Sequence, residues 1–237
     1  MNQTLVLLHG WGYTPKIWDG LRAELSNFEL CTPLLLPPCA NLATWADELT
    51  ASLPDDAILI GWSLGAMLAM NLAARHPAKV RGLFLIGASP CFVAHEAWAH
   101  GLEANTVTAF RAGFRRNPAR TQQRFVALQV LGDSQRHALA PLLENALADP
   151  AEHATALEAG LQILAEADLR SLELPPGLPV LLLHGRQDAL MPVAAAEYLQ
   201  SHHAGARLHI IEDAGHAPLL SQPAALARHI QAFSDAL

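Results

Sequence analysis

Six short runs of this sequence are rich in apolar residues, five of them at most positions, and stretches with helical spacing separate them. The runs cover residues 4–9, 30–36, 57–62, 80–87, 179–184 and 207–212. A strand that is apolar on both faces must be covered on both faces, which is the condition of a strand inside a parallel sheet. Helical stretches at 17–25, 43–53, 64–75, 193–203 and 224–237 supply that cover. The helix over 64–75 is expected to stop at His76-Pro77, because proline disfavours helical geometry in the residue before it. The expectation is an α/β fold: a mostly parallel sheet with helices on both faces.

Residues 92–168 interrupt the alternation. They contain no convincing strand, and four helices are expected at 104–116, 118–131, 135–148 and 151–165. Asn117-Pro118 reads as an N-cap followed by proline at the first helical position, where its missing N–H does no harm. Gly132-Asp133-Ser134 and Asp149-Pro150 mark the other breaks. A helical insertion after a sheet strand reads as a lid over a site at the strand C-termini. The expected organisation is a core in two parts, 1–91 and 169–237, with a lid at 92–168. The length of 237 residues suits one such domain.

Composition excludes several classes. A hydrophobic fraction of 51% with 16% charged residues is not that of a disordered chain. Every apolar run is broken by a charge, proline or turn well before eighteen residues, so neither a membrane span nor stable membrane association is expected. The N-terminus lacks the basic region and cleavage site of a signal peptide. Cys31, Cys39 and Cys91 are sparse and show no CxxC spacing, so no disulfide framework or zinc site is expected, and a cytoplasmic location fits. The net charge of −7 argues against a nucleic-acid partner. A monomer is expected.

Gly61-Trp62-Ser63-Leu64-Gly65 matches G-x-S-x-G, with a buried strand before it and a helix after it. Such a turn lifts the Ser63 hydroxyl above the sheet at a helix N-terminus. Without that context the pattern could be a strand–helix turn with a chance serine. A serine hydroxyl is a weak nucleophile and needs a base. Of the twelve histidines, His216 lies in a glycine-containing loop between the last strand and the final helix. His9 and His184 each end a strand before glycine and read as buried, hydrogen-bonded side chains. His202 and His203 read as a solvated helix end. The base needs a carboxylate behind it, and Asp188, after the penultimate strand, is the candidate. Asp213 lies too near His216 in sequence to reach the back of its ring.

A tetrahedral intermediate needs N–H donors for its oxyanion. The backbone N–H groups of Leu64 and of Trp11, in the loop His9-Gly10-Trp11-Gly12, are the candidates. The rings of Trp11 and Trp62 read as walls of an acyl pocket, with ordinary core as the alternative. The chain order serine, aspartate, histidine is that of the α/β-hydrolases, and the whole pattern resembles that superfamily. The loop His9–Gly12, the elbow Gly61–Gly65 and Ala88-Ser89-Pro90-Cys91-Phe92 are more closely similar to the pimeloyl–acyl-carrier-protein methyl ester esterases of biotin synthesis. So are Arg124–Gln129 and Gly160–Leu164 in the lid, and Gly215-His216-Ala217-Pro218.

That resemblance implies a serine esterase that removes the methyl ester from pimeloyl chains on acyl carrier protein, with no metal or cofactor. It implies substrate contacts at Trp11, Ser63, Leu64, His216 and the lid residues Phe125, Val126, Ala127, Leu128 and Gln129. Two departures are visible. An N-terminal antiparallel hairpin is expected to be missing or reduced. The loop Pro37-Pro38-Cys39-Ala40-Asn41 replaces a glycine-rich P-G-x-G-x-S turn and is shorter.

Charge adds a separate argument. Between residues 104 and 143 there are six arginines and one acid, Asp133, for a local charge of +5. Arg111 and Arg115 are four apart on one expected helix, and Arg120 and Arg124 on the next, so each pair shares a face. A basic face would steer an acidic acyl carrier protein. A solvated helical face is the plain alternative. The rival functions are a general short-chain carboxylesterase, thioesterase or related hydrolase, and a non-catalytic ligand receptor on the same fold.

Overall fold

The computed structural model describes residues 3–237. Its six strands are β1 (Thr4–Leu8), β2 (Glu29–Cys31), β3 (Ala57–Trp62), β4 (Val80–Ile86), β5 (Val180–Gly185) and β6 (Arg207–Ile211). They form one sheet in the order β2-β1-β3-β4-β5-β6. Every neighbouring pair is parallel, so the sheet is parallel throughout rather than mostly so. The order reverses direction at β1, and the strand C-termini line up along one edge, where such folds place ligands.

The core helices are α1 (Asp19–Glu24), α2 (Leu42–Thr50), α3 (Leu64–Arg75), α8 (Val193–His202), α9 (Pro218–Ser221) and α10 (Pro223–Asp235). Between β4 and β5 lie α4 (Ala104–Arg116), α5 (Pro118–Gln129), α6 (Arg136–Asn145) and α7 (Pro150–Glu166). The Asn117 side chain accepts from Arg120 N–H and caps α5, with Pro118 at its first position. Asp149 caps α7 by accepting from Ala151 N–H. The α3 sequence, Leu-Gly-Ala-Met-Leu-Ala-Met-Asn-Leu-Ala, is apolar almost all round, and those ten residues are buried. A helix of that composition must lie inside the fold. Among the described residues no helix is long and apolar enough to cross a membrane.

Two elements differ from the sequence expectation. Of the run 30–36, only Leu30 and Cys31 pair with β1. Pro33 follows two residues later and has no N–H to continue the ladder, so the chain runs on unpaired past Pro37 and Pro38. The stretch 17–25 is not one helix. A 3₁₀ turn over Pro15–Trp18 precedes α1, and the proline at its start sets that turn.

Backbone packing fixes the height of α3 over the sheet. A Cβ on Gly65 would lie 2.1 Å from the Leu8 carbonyl oxygen, and one on Gly61 would lie 2.5 Å from the Gly65 carbonyl oxygen. Neither obstacle is a flexible side chain. Gly65→Ala is therefore expected to lower stability by about 3 kcal/mol, since overpacking against fixed atoms costs this order. Urea unfolding of the purified variant checks it.

Candidate active site

Ser63 follows β3 and its backbone is strained. Its φ of 57° and ψ of −118° are rare for a residue with a side chain. The strain is held from both sides. Ser63 N–H donates to the Ile86 carbonyl at 3.0 Å, and Ser63 carbonyl oxygen accepts from Ala66 N–H at 2.9 Å. The next residue, Leu64, opens α3, so its N–H has no carbonyl partner within the helix. The loop carrying Trp11 lies alongside, since a Cβ on Gly10 would lie 3.3 Å from the Ser63 Cβ.

The structure brings His216 and Asp188 together from separate strand ends. His216 Nδ1 lies 2.6 Å from Asp188 Oδ2, and both side chains are essentially buried. A carboxylate cannot donate, so Nδ1 carries the hydrogen and Nε2 presents its lone pair. Nε2 is buried and unpartnered. The other Asp188 oxygen accepts from the N–H groups of Leu190 and Met191 at 2.9 and 2.8 Å. Burial pushes the Asp188 carboxyl up. The His216 charge and hydrogen bond, His184 and the Met191 N–H more than offset this and hold it below the ordinary value.

The His216 backbone is also tied. Its carbonyl accepts from Trp62 Nε1 at 2.8 Å, and its N–H donates to the Gln129 carbonyl at 3.2 Å. The Trp62 ring lies 5.7 Å from the His216 ring and is 1% exposed. This corrects one expectation: Trp62 is core beneath the histidine, because its indole N–H is needed to hold that carbonyl.

Trp11 donates from Nε1 to the Leu157 carbonyl at 2.7 Å. Its ring meets Phe110, Phe114 and Phe125 edge-on, at centroid separations of 5.1–5.7 Å. Phe110 and Phe125 continue into a narrow apolar hollow that also includes Phe92, Leu128, Leu161 and Leu164. Of the five consecutive lid residues singled out in the sequence, Phe125 and Leu128 face this hollow. Gln129 faces the histidine loop, and its Oε1 accepts from the Tyr13 hydroxyl at 3.1 Å. Val126 and Ala127 point instead towards α6, beside Ala140 and Pro141. Helical geometry forbids five consecutive side chains from sharing one face.

The remaining candidates fall as follows. Arg120 and Arg124 on α5 are exposed, and Arg111 on α4 is half-buried. Arg115 pairs with Glu158 of α7, so part of the expected basic face is neutralised by an acid beyond residue 143. His184 is fully buried, and its Nε2 donates to the Met191 carbonyl at 2.8 Å. His9 is buried too, and its Nε2 accepts from Leu35 N–H at 2.9 Å while Nδ1 donates to the Gly10 carbonyl. The His202 ring stacks on Tyr198 at 3.7 Å, and His203 is partly buried. The sequence marks Gly160 only as part of a stretch resembling the family and assigns it no role, yet its bare Cα admits Trp11. A Cβ there would lie 2.7 Å from Trp11 Cδ1.

Burial lowers the His9 pKa to about 4, from 6.5. A histidine depressed in this way contributes stability that is complete above about pH 6.5 and is lost as pH falls towards 4. The shift corresponds to roughly 3 kcal/mol. Urea unfolding free energy is expected to fall across that window, and His9→Gln should make the fall shallower.

The comparisons with known proteins agree with this architecture. A family model described as the alpha/beta hydrolase fold matches residues 37–223. An esterase from Exiguobacterium antarcticum superposes with a TM-score of 0.81 at 20% identity, covering 98% of this chain and 91% of that one. An enol-lactonase from Burkholderia xenovorans gives 0.82 at 15% identity, covering 99% and 92%. At those identities the likeness concerns the fold. Closer in sequence are proteins named pimeloyl-[acyl-carrier protein] methyl ester esterase. The one from Aromatoleum aromaticum is 47% identical, covering 92% of this chain and 93% of its own. The one from Nitrosomonas europaea is 37% identical, covering 92% and 90%. This chain belongs to the α/β-hydrolase family and, within it, to the family of the pimeloyl-[acyl-carrier protein] methyl ester esterases.

Proposed function

We propose that this protein is a serine esterase that hydrolyses the methyl ester of pimeloyl-[acyl-carrier protein], a step of biotin synthesis. The observation that carries this reading is the 47% identity over 92% of the chain. The uncovered remainder is far too short to contain the lid, so the likeness extends through the segment that forms the hollow.

Ser63, His216 and Asp188 are the proposed triad. Ser63 Oγ attacks the ester carbonyl carbon while His216 Nε2 takes the hydroxyl proton. The N–H groups of Leu64 and Trp11 receive the negative charge that develops on the carbonyl oxygen. The intermediate collapses, and methanol leaves with the proton from His216. Water then gives a proton to His216 and attacks the acyl-Ser63 ester. The acid is released and Ser63 regains its proton. Asp188 holds the ring in the required tautomer and stabilises the imidazolium. The unpartnered Nε2 and the 2.6 Å contact behind it support these roles.

The apolar hollow supports the substrate class. A neutral polymethylene chain can replace water there, whereas a free carboxylate would lose its solvation without a compensating partner. In this reading the ester is accepted and the product acid is not retained. The exposed arginines Arg120 and Arg124, with Arg111 beside them, form the proposed docking face for the acidic carrier protein. Arg115 contributes less, because Glu158 already pairs with it.

Two outcomes are expected. Asp188→Asn should lower kcat by about 10⁴, as losing the carboxylate does in other triads, and Ser63→Ala should abolish turnover. Near-normal rates for Asp188→Asn would mean that another carboxylate serves the histidine. Second, kcat/KM for pimeloyl methyl ester on acyl carrier protein should exceed that for the same ester on a short pantetheine. The excess should shrink as salt is raised, because screening weakens exposed charge pairs. Equal rates at every ionic strength would remove the carrier-protein reading and leave a general esterase.

A further inference from the structure

The lid and the histidine loop meet at a carboxylate with no part in the proposed chemistry. Asp133 lies in the turn between α5 and α6 and is 4% exposed. Its Oδ2 accepts from Gly215 N–H at 2.9 Å, and its Oδ1 accepts from Gln135 N–H at 2.8 Å. Gly215 immediately precedes His216. Lid and loop are in direct contact here: a Cβ on Gly215 would lie 3.0 Å from the Gln129 carbonyl oxygen and 3.3 Å from the Asp133 Cβ.

The same turn reaches the other catalytic loop. Gly132 has a φ of +84°, and a Cβ there would lie 2.9 Å from the carbonyl oxygen of Gln187, the neighbour of Asp188. A lid turn thus touches the loops of both His216 and Asp188. At Gly215 it does so through a buried carboxylate, and hydrogen bonds from N–H to an ionised acceptor are about twice as strong as neutral ones.

We infer that Asp133 is a positioning residue for His216. By accepting from Gly215 N–H it fixes the peptide that aims the imidazole, so the closed lid and the competent base are one arrangement. The inference rests on the reading of His216 as the general base.

Asp133→Ser separates this role from a local one. A serine hydroxyl can still accept from the N–H two residues on, keeping the turn into α6, but is too short to reach Gly215. The expected result is a fall of about tenfold or more in kcat for p-nitrophenyl acetate with KM little changed, since small misplacements of catalytic groups cost this much. The rate of Ser63 labelling by a small fluorophosphonate should fall in parallel. Asp133→Asn, which keeps one of the two acceptors and sets its NH2 against the other N–H, should recover only part of both rates while remaining above Asp133→Ser. Asp149→Ala, which removes the cap of α7 and does not touch the histidine loop, should leave both unchanged. Wild-type kcat and labelling in Asp133→Ser, with only a lower melting temperature, would overturn the inference. So would equal losses in the serine, asparagine and Asp149→Ala variants. A wild-type enzyme that takes no label at Ser63 would instead remove the triad reading beneath it.

Discussion

The Leu8 carbonyl lies so close to Gly65 that a Cβ there would sit 2.1 Å from it, and the Gly215 carbonyl stands in the same relation to Gly185. These two contacts set the spacing of the strand ends on which the site depends. The first presses the start of α3 onto the end of β1, bringing Ser63 beside the Gly10–Trp11 loop. The second presses the His216 loop onto the end of β5, within reach of Asp188. Even one methyl group between those backbones would force them apart by about 1 Å, enough to stretch the 2.6 Å contact between His216 and Asp188.

The lid completes what the sheet begins. Its aromatic residues Phe110, Phe114 and Phe125 surround the Trp11 ring, and Gly160 lets α7 close against the same ring. Trp11 is thereby held from above by lid residues, while its backbone belongs to the loop beside Ser63. Gln129 acts similarly on the other side, with its carbonyl on His216 N–H and its side chain on the Tyr13 hydroxyl. The lid therefore braces the groups around Ser63 in addition to covering them. Ser63 itself is only 9% exposed in this arrangement.

Much of this was legible in the sequence, for a physical reason. In a parallel sheet each strand ends at the same edge, so a serine, an aspartate and a histidine placed after three different strands share that edge. The runs before Ser63 and Asp188 are strongly apolar and hard to mistake, whereas the edge strand before His216, Arg207–Ile211, alternates polar and apolar residues. The cap at Asn117-Pro118 was equally plain, because its side chain acts on residues three positions away. What failed to show was whatever depended on partners distant in sequence. Glu158 lies 43 positions from Arg115, outside any window used to sum charge on α4 and α5. Asp133 reads only as part of a helix break and as the one acid in a basic segment, since nothing near it marks Gly215 as its partner, 82 positions away. Trp62 looked like a pocket wall because its neighbour is the elbow serine, yet its indole turns towards the His216 carbonyl.

The short β2 strand carries the same lesson to the rim of the site. Pro33, Pro37 and Pro38 keep residues 32–38 out of the sheet, which frees this segment to cross over the strand ends. Leu35 N–H then bonds to His9 Nε2, and Pro37 comes within 3.6 Å of where a Cβ on Gly160 would lie. His9 precedes Gly10, so the segment braces the Trp11 loop and meets the lid at Gly160. That bond requires a neutral His9 with a free lone pair on Nε2, the state burial favours by lowering its pKa to about 4. A residue that reads from sequence as a mere strand terminus thus holds the Trp11 loop in register, and it does so only while it stays uncharged.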